Sequence, residues 1–284
     1  MHEKPPTFEA LPRTPLCAET KSSVVIEIKT AEEIQKMRAT CTLAASVLDY
    51  IAPHVEAGVT TDRLDRLCHE YILDHGAIPA PLNYKGFPRS ICTSVNEVVC
   101  HGIPGALTLK DGDIINIDIT TIVDGYFGDT SEMFCVGEIS EEAERLIDAT
   151  RRSMWLGIQE VAPGKRVGDI GAVIEEYAHG ELGYGVVDQF CGHGIGREFH
   201  MDPHIPHVGR RGTGKRFKTG MTFTIEPMIN IGTHHCITLS DGWTAITADN
   251  LLSAQTEHTI LVTDAGFEVL TMRESAWRPE DLAL

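Results

Sequence analysis

The sequence lacks any continuous apolar run approaching the roughly 18 residues that a membrane-spanning helix needs, so no membrane is expected as a partner. Its first residues, Met1-His2-Glu3-Lys4-Pro5-Pro6, contain no apolar core of the kind a secretory leader carries, and none is expected. It is short of positive charge: 24 Lys and Arg stand against 41 Asp and Glu, a formal net charge of −17. A surplus of that size repels phosphate backbones and argues against a DNA-binding body. It also lacks a Cys-x-x-Cys pair. The cysteines at 17, 41, 68, 92, 100, 135, 191 and 236 are scattered, which excludes a zinc ribbon or a thioredoxin-like motif and fits reduced thiols in a cytoplasmic protein.

With 284 residues, 42% hydrophobic and 23% charged, the chain can bury a sizeable core. Residues 1–25 are Pro-rich and read as an N-terminal extension, a solvated arm that includes Pro12-Arg-Thr-Pro15. Residues 26–284 read as one domain, with order beginning near Val24–Ile28. Thr30 and Glu33 have capping-box spacing ahead of a helix to about Tyr50, which Pro53 stops. A second helix is expected from Thr61 to about Asp74, ended by Gly76. The segment 78–137 reads as β, with a hairpin of Asp113–Thr121 and Phe127–Phe134 turning at Asp124-Gly125. Helices are then expected at Glu141–Glu160 and Val167–Leu182, and strands at Thr222–Ile231, Ile237–Leu239, Trp243–Ala248 and Glu257–Val262. Ile51-Ala-Pro53 and Val161-Ala-Pro163 each precede a helix, and Leu64, Leu67 and Glu70-Tyr71 align with Ile170, Val173 and Glu176-Tyr177. This echo predicts two similar halves and an α+β body with helices on one face of a curved antiparallel sheet.

Five polar residues sit in apolar or glycine-rich settings where a solvated charge is out of place. Asp118 lies within Ile114-Ile-Asn-Ile-Asp-Ile119, and Asp129 follows on the return strand of the same hairpin, with no Arg or Lys between 113 and 129. Glu226 lies in Thr222-Phe-Thr-Ile-Glu-Pro-Met-Ile229, and Glu257 in Gln255-Thr-Glu-His-Thr259. His193 is flanked by glycines in Gly192-His-Gly-Ile-Gly196. A buried carboxylate must be paired, protonated or bound to a cation. Four carboxylates and one imidazole suit a pair of divalent ions that share bridging carboxylates, and the donor set admits Co, Mn, Fe or Zn. Such a pair can activate a water between them for amide hydrolysis. His101 and His200 stand apart as candidate proton donors or acceptors. His204, His207, His234 and His235 are assigned to ordinary surface or core positions.

Asn96-Glu-Val-Val-Cys-His-Gly-Ile-Pro104, Asn116-Ile-Asp-Ile-Thr120, Gly128-Asp-Thr130, Gly192-His-Gly-Ile-Gly196, Phe223-Thr-Ile-Glu-Pro227 and Gln255-Thr-Glu-His-Thr259 together resemble the motif set of type I methionine aminopeptidases, over about residues 30 to 272. The resemblance implies the creatinase/aminopeptidase-like "pita-bread" fold, with pseudo-twofold halves, and a catalytic domain over residues 26–284. It implies removal of the initiator methionine from nascent proteins when the next residue is small, by a water or hydroxide between two divalent ions. Asp118, Asp129 and Glu257 would hold one ion, and Asp129, His193, Glu226 and Glu257 the other. His101 would contact the scissile amide, His200 its carbonyl, and Glu226 would also relay a proton. The methionine pocket maps onto Tyr84, Phe87, Cys92, Phe199 and Trp243, with Pro81 at its edge; many relatives carry Tyr and Cys where this chain has Phe87 and Pro81. Nascent chain N-termini are the expected partners, the ribosome a candidate one, and a monomer is expected. Only about twenty residues separate His200 from Thr222, which favours type I over type II. The alternatives are an Xaa-Pro aminopeptidase or prolidase-like enzyme, and a non-catalytic binding protein on the same fold.

Overall fold

The computed structural model describes residues 26–273 and residue 275. The Pro-rich extension, with its Pro12–Pro15 stretch, lies outside the described residues. Helix α1 (Ala31–Ile51) starts at the expected capping box: the Thr30 hydroxyl accepts from the Glu33 amide, and the Thr30 amide donates to the Glu33 carboxylate at 2.9 Å. Helix α2 (Thr61–Asp74) is capped by the Thr60 side chain and stops before Gly76, whose φ is +71°. Strands β1 (Ile78–Pro79), β2 (Cys92–Val95), β3 (Val98–Cys100), β4 (Ile114–Val123) and β5 (Tyr126–Cys135) complete the first half. The second half has α3 (Glu141–Gln159), α4 (Val167–Glu175), β6 (Gly185–Val186), β7 (Gly192–Gly194), β8 (Met201–Ile205) and β9 (Thr222–Ile225). Strands β10 (Met228–Asn230), β11 (Cys236–Thr238), β12 (Ala245–Thr247), β13 (Ser253–Gln255), β14 (His258–Thr263) and β15 (Gly266–Val269) follow.

Among the described residues every strand pairing is antiparallel. The long hairpin β4–β5 turns at Asp124 (φ 50°) and Gly125 (φ 76°). Two consecutive left-handed residues match the strand twist, which is why Asp-Gly serves there. The two expected halves each have a core. In the first, Ala44, Val47, Leu48 and Ile51 of α1 and Leu64, Leu67 and Ile72 of α2 pack on Ile115, Ile117 and Ile119 of β4. In the second, Leu146, Ile147, Met154 and Ile158 of α3 and Ile170 and Ile174 of α4 pack on Phe223, Ile225, Ile260 and Val262. The five-stranded sheet β15-β14-β9-β7-β8 meets the β4–β5 sheet through a bridge between Ser131 and Glu257.

Helix α1 lies directly on β5. A Cβ at Gly128 would stand 2.6 Å from the Cys41 amide nitrogen, a backbone atom of α1 that cannot step aside. Overpacking of this kind costs about 1–3 kcal/mol. Gly128→Ala is therefore expected to lower the melting temperature by about 2–10 °C; an unchanged melt would show that α1 rides freely over the strand.

Three expectations need correction. The single strand Thr222–Ile231 is two, β9 and β10, which pair in different sheets, because Pro227 offers no amide to the ladder. The helix Val167–Leu182 is regular only to Glu175; Glu176–Glu181 forms a wider π turn. The segment 78–137 is β only in part, since residues 101–113 are largely irregular and Tyr84–Gly86 is a short 3-10 turn.

Candidate metal centre and its cleft

Strand alternation delivers the polar residues to the centre. On β4, Ile115, Ile117 and Ile119 face the helices, so Asp118, between Asn116 and Thr120, faces the other way. On β9, Phe223 and Ile225 enter the core, and Thr222, Thr224 and Glu226 fall opposite. On β14, Ile260 and Val262 enter the same core, which puts Glu257 and Thr259 on the open side. Thr259 then ties the halves together: its hydroxyl donates to the Asp129 carbonyl at 2.7 Å. The Thr130 hydroxyl donates to the Glu257 carbonyl at 2.8 Å.

All five expected donors, Asp118, Asp129, His193, Glu226 and Glu257, line one cleft of about 380 Å³. Ligand atoms of Asp129, His193 and Glu257 lie within 4.8 Å of one another. His193 Nε2 is 3.7 Å from Asp129 Oδ2 and 3.6 Å from Glu226 Oε1. Those gaps are too long for hydrogen bonds, and they match two donors that share an ion about 2.1 Å from each, which stand roughly 3–4 Å apart. Glu257 Oε1 is buried without a hydrogen-bond partner. Among the described residues no Lys or Arg pairs with any of the four carboxylates. The donor set therefore fits divalent cations.

The supporting contacts aim these carboxylates. Thr120 Oγ1 donates to Asp129 Oδ1 at 2.8 Å, Thr224 Oγ1 to Glu226 Oε1 at 2.6 Å, and Gln255 Nε2 to Glu226 Oε2 at 3.2 Å. Thr120, Thr224 and Gln255 were missed in the sequence. Each stands two residues from a donor (Asp118, Glu226 and Glu257), so the period of a strand could have found them.

Without cations the site is electrostatically frustrated. Burial pushes Asp118 up to about 7 and Glu226 up to about 8. Asp129 and Glu257 are raised well above the ordinary range, by burial first, then by neighbouring carboxylates. Burial pulls His193 and His101 down to about 4. His200, whose outer edge is exposed, is lowered to about 3 by desolvation and by the imidazoles of His193 and His101. The histidines are neutral at pH 7, the form in which an imidazole can ligate a metal or offer one N–H and one lone pair to a substrate.

The expected pocket residues Tyr84, Phe87, Cys92, Phe199 and Trp243, with Pro81, line the same cleft, as do His101 and His200. Cys92 lies opposite Asp118 in the β2–β4 pairing, so the pocket wall abuts the donor cluster. His101 holds a left-handed backbone (φ 57°) and meets Phe190 and Trp243 edge-on. Two histidines assigned to ordinary positions belong to this region. His204 pairs with His193 across β7–β8 and lines the cleft. His207 is fully buried, and its Nε2 accepts from the Glu226 amide at 3.1 Å, the first amide past the end of β9. Lys85 at the rim was also missed.

Comparison with known proteins agrees with this geometry. The profile of metallopeptidase family M24 matches residues 35–264. The chain is 54% identical over 250 residues to the methionine aminopeptidase of Rickettsia prowazekii, covering 88% of this chain and 96% of that one. It is 52% identical over 253 residues to that of Escherichia coli strain K12, with 88% and 96% covered. The crystal structure of the Rickettsia prowazekii enzyme superposes with a TM-score of 0.86, covering 87% of this chain and 100% of that one. The prolidase from Pyrococcus furiosus, at 22% identity and a TM-score of 0.68, shares the fold, with 87% of this chain and 66% of that chain covered. The two-halved body is thus the pita-bread fold, and the chain belongs to metallopeptidase family M24, within its methionine aminopeptidases.

Proposed function

We propose that the protein is a methionyl aminopeptidase that hydrolyses the first peptide bond of chains beginning with methionine followed by a small residue. One observation carries this reading: a cluster of four carboxylates and one imidazole opens directly onto a pocket of aromatic rings and a thiol. Nascent protein N-termini are then its substrates, the cytoplasm its place of work, and a monomer its working form. Among the described residues no helix is long and apolar enough to cross a membrane.

Asp118, Asp129 and Glu257 would hold one divalent cation, and Asp129, His193, Glu226 and Glu257 a second. When bound, the cations supply Lewis acidity and lower the pKa of the attacking water. Tyr84, Phe87, Cys92, Phe199 and Trp243 receive the methionine thioether, a polarisable group suited to ring edges and sulfur. Glu226, held by Thr224 and Gln255, takes the proton of the attacking water. His101 contacts the scissile amide and helps pass the proton taken up by Glu226 to the leaving amine, and His200 donates to the carbonyl oxygen as charge develops on it.

A peptide panel tests the reading. With Mn²⁺ or Co²⁺ the protein should release methionine from Met-Ala-Ser and leave Xaa-Pro peptides intact. Cleavage of Xaa-Pro bonds without methionine release would transfer it to the prolidase-like branch, and a chain that takes up neither metal would be a binding protein.

Chelation has a pH signature. Carboxylates whose folded pKa is raised stabilise the fold fully at acid pH and lose that contribution as pH rises through about 7 for Asp118 and about 8 for Glu226. Histidines lowered from 6.5 act only below that pH, so between roughly 6.5 and 8 the carboxylates act alone. EDTA-treated protein should melt at progressively lower temperature across that window, and metal-loaded protein should not, because cations take the place of protons. Parallel curves would show that the carboxylates are not held together as described.

A further inference from the structure

Tyr84 makes three contacts in the cleft wall, and lining a pocket accounts only for those of its ring. Its ring is tilted against Phe199 at 4.9 Å between centroids and stacks on the His200 imidazole at 5.3 Å and 23°. Its hydroxyl lies 2.9 Å from His200 Nδ1. The turn that carries it is tightly specified. Asn83 (φ 67°) and Lys85 (φ 47°), on either side, are both left-handed, a backbone that asparagine tolerates but lysine adopts only where surroundings impose it. The Tyr84 amide donates to the Pro81 carbonyl and the Phe87 amide to the Tyr84 carbonyl, each at 2.9 Å. The Lys85 ammonium lies 5.2 Å from the ring centroid, and a cation over a phenol makes its O–H a stronger donor.

A neutral imidazole has one donor and one acceptor nitrogen, and the partner of one sets the role of the other. With Nδ1 engaged by Tyr84, Nε2 is the nitrogen left for the cleft, and among the described residues it has no protein partner. We infer that Tyr84 is a positioning residue: its hydroxyl donates to Nδ1 of His200, holds that ring as the Nε2–H tautomer and so presents a donor to the substrate carbonyl. The opposite polarity, Nδ1–H donating to the phenol oxygen, would face the carbonyl with a lone pair and repel it. The inference rests on the hydrolytic reading above and extends it, because one side chain then lines the methionine pocket and orients the carbonyl contact.

Tyr84→Phe keeps the ring and removes the hydroxyl. On Met-Ala-Ser its kcat is expected to fall about tenfold, a fraction of what loss of a whole oxyanion donor gives, with KM within about twofold. In a His200→Ala background the same substitution should change kcat less than about twofold, since the two residues act as a unit. Long-range proton–nitrogen spectra of zinc-loaded protein, with His200 assigned by its loss in His200→Ala, should show a fixed Nε2–H tautomer that becomes a mixture in Tyr84→Phe. An equal fall in both backgrounds, or an unchanged tautomer, overturns the inference. If wild-type protein releases no methionine, the hydrolytic reading fails instead, and the spectra still decide the tyrosine contact without turnover.

Discussion

Glu257→Gln should move activity and stability in opposite directions. The substitution keeps the shape of a side chain that is 2% exposed and removes one of four crowded carboxylates. Burial and the charges of Asp129, Glu226 and Asp118 raise the Glu257 carboxyl well above its ordinary range, so its ionised form opposes folding when no cation is bound. At pH 8 the metal-free variant is expected to melt above the metal-free parent. Its turnover should drop by about 10³-fold or more, because one ligand of both proposed cations is gone and several kcal/mol of transition-state stabilisation go with it. Metal content, read by elemental analysis after dialysis, should fall as well. His193→Ala and Glu226→Ala should lose turnover to a similar extent. A Glu257→Gln protein that turned over near the parental rate after metal loading would refute the ligand assignment, and one that melted lower without metal would mean that the crowding is relieved by something other than cations.

His101→Ala should separate chemistry from metal binding. His101 lies outside the tight donor cluster, and among the described residues its ring makes no protein hydrogen bond, so its polar atoms are left for a bound peptide. It is neutral at pH 7, with its pKa drawn down to about 4 by burial. Positioned proton transfer contributes about 10²–10⁴-fold, and the fall in kcat should lie in that range with the metal complement unchanged. His101→Asn is the better control, because asparagine tolerates the left-handed backbone (φ 57°) that the loop imposes. Unchanged kcat in both variants would remove the residue from the mechanism. Loss of metal in both would make it a ligand.

Much of the site was legible because its residues break a local rule. Asp118 interrupts an isoleucine strand, Glu226 precedes a proline in an apolar run, and His193 stands between glycines, where no local partner accounts for any of them. The supporting shell was less legible. Thr120, Thr224 and Gln255 are ordinary residues for strands, and only their two-residue offset from a donor marks them. His207 was passed over because a histidine in a proline-rich connection has many ordinary explanations. Its contact with the Glu226 amide exists only because β9 ends at Ile225, two residues before Pro227. Strands β7 and β13 escaped for a related reason: each has three residues, β7 is Gly-His-Gly, and neither has a pattern that propensity can detect.

By itself the sequence determined what local physics controls. Capping chemistry starts α1, an Asp-Gly turn sets the β4–β5 register, alternation assigns isoleucines to one face and carboxylates to the other, and the absence of nearby cations leaves four acids in need of one. Tertiary structure alone decided which acids meet. Asp129 and Glu257 stand 128 positions apart in the chain and come together through the Ser131–Glu257 bridge and the Thr259–Asp129 hydrogen bond. The joining of Tyr84 to His200, across 116 positions, is of the same kind. Contacts at such separations depend on how the two halves dock, and no period or propensity along the chain encodes that docking.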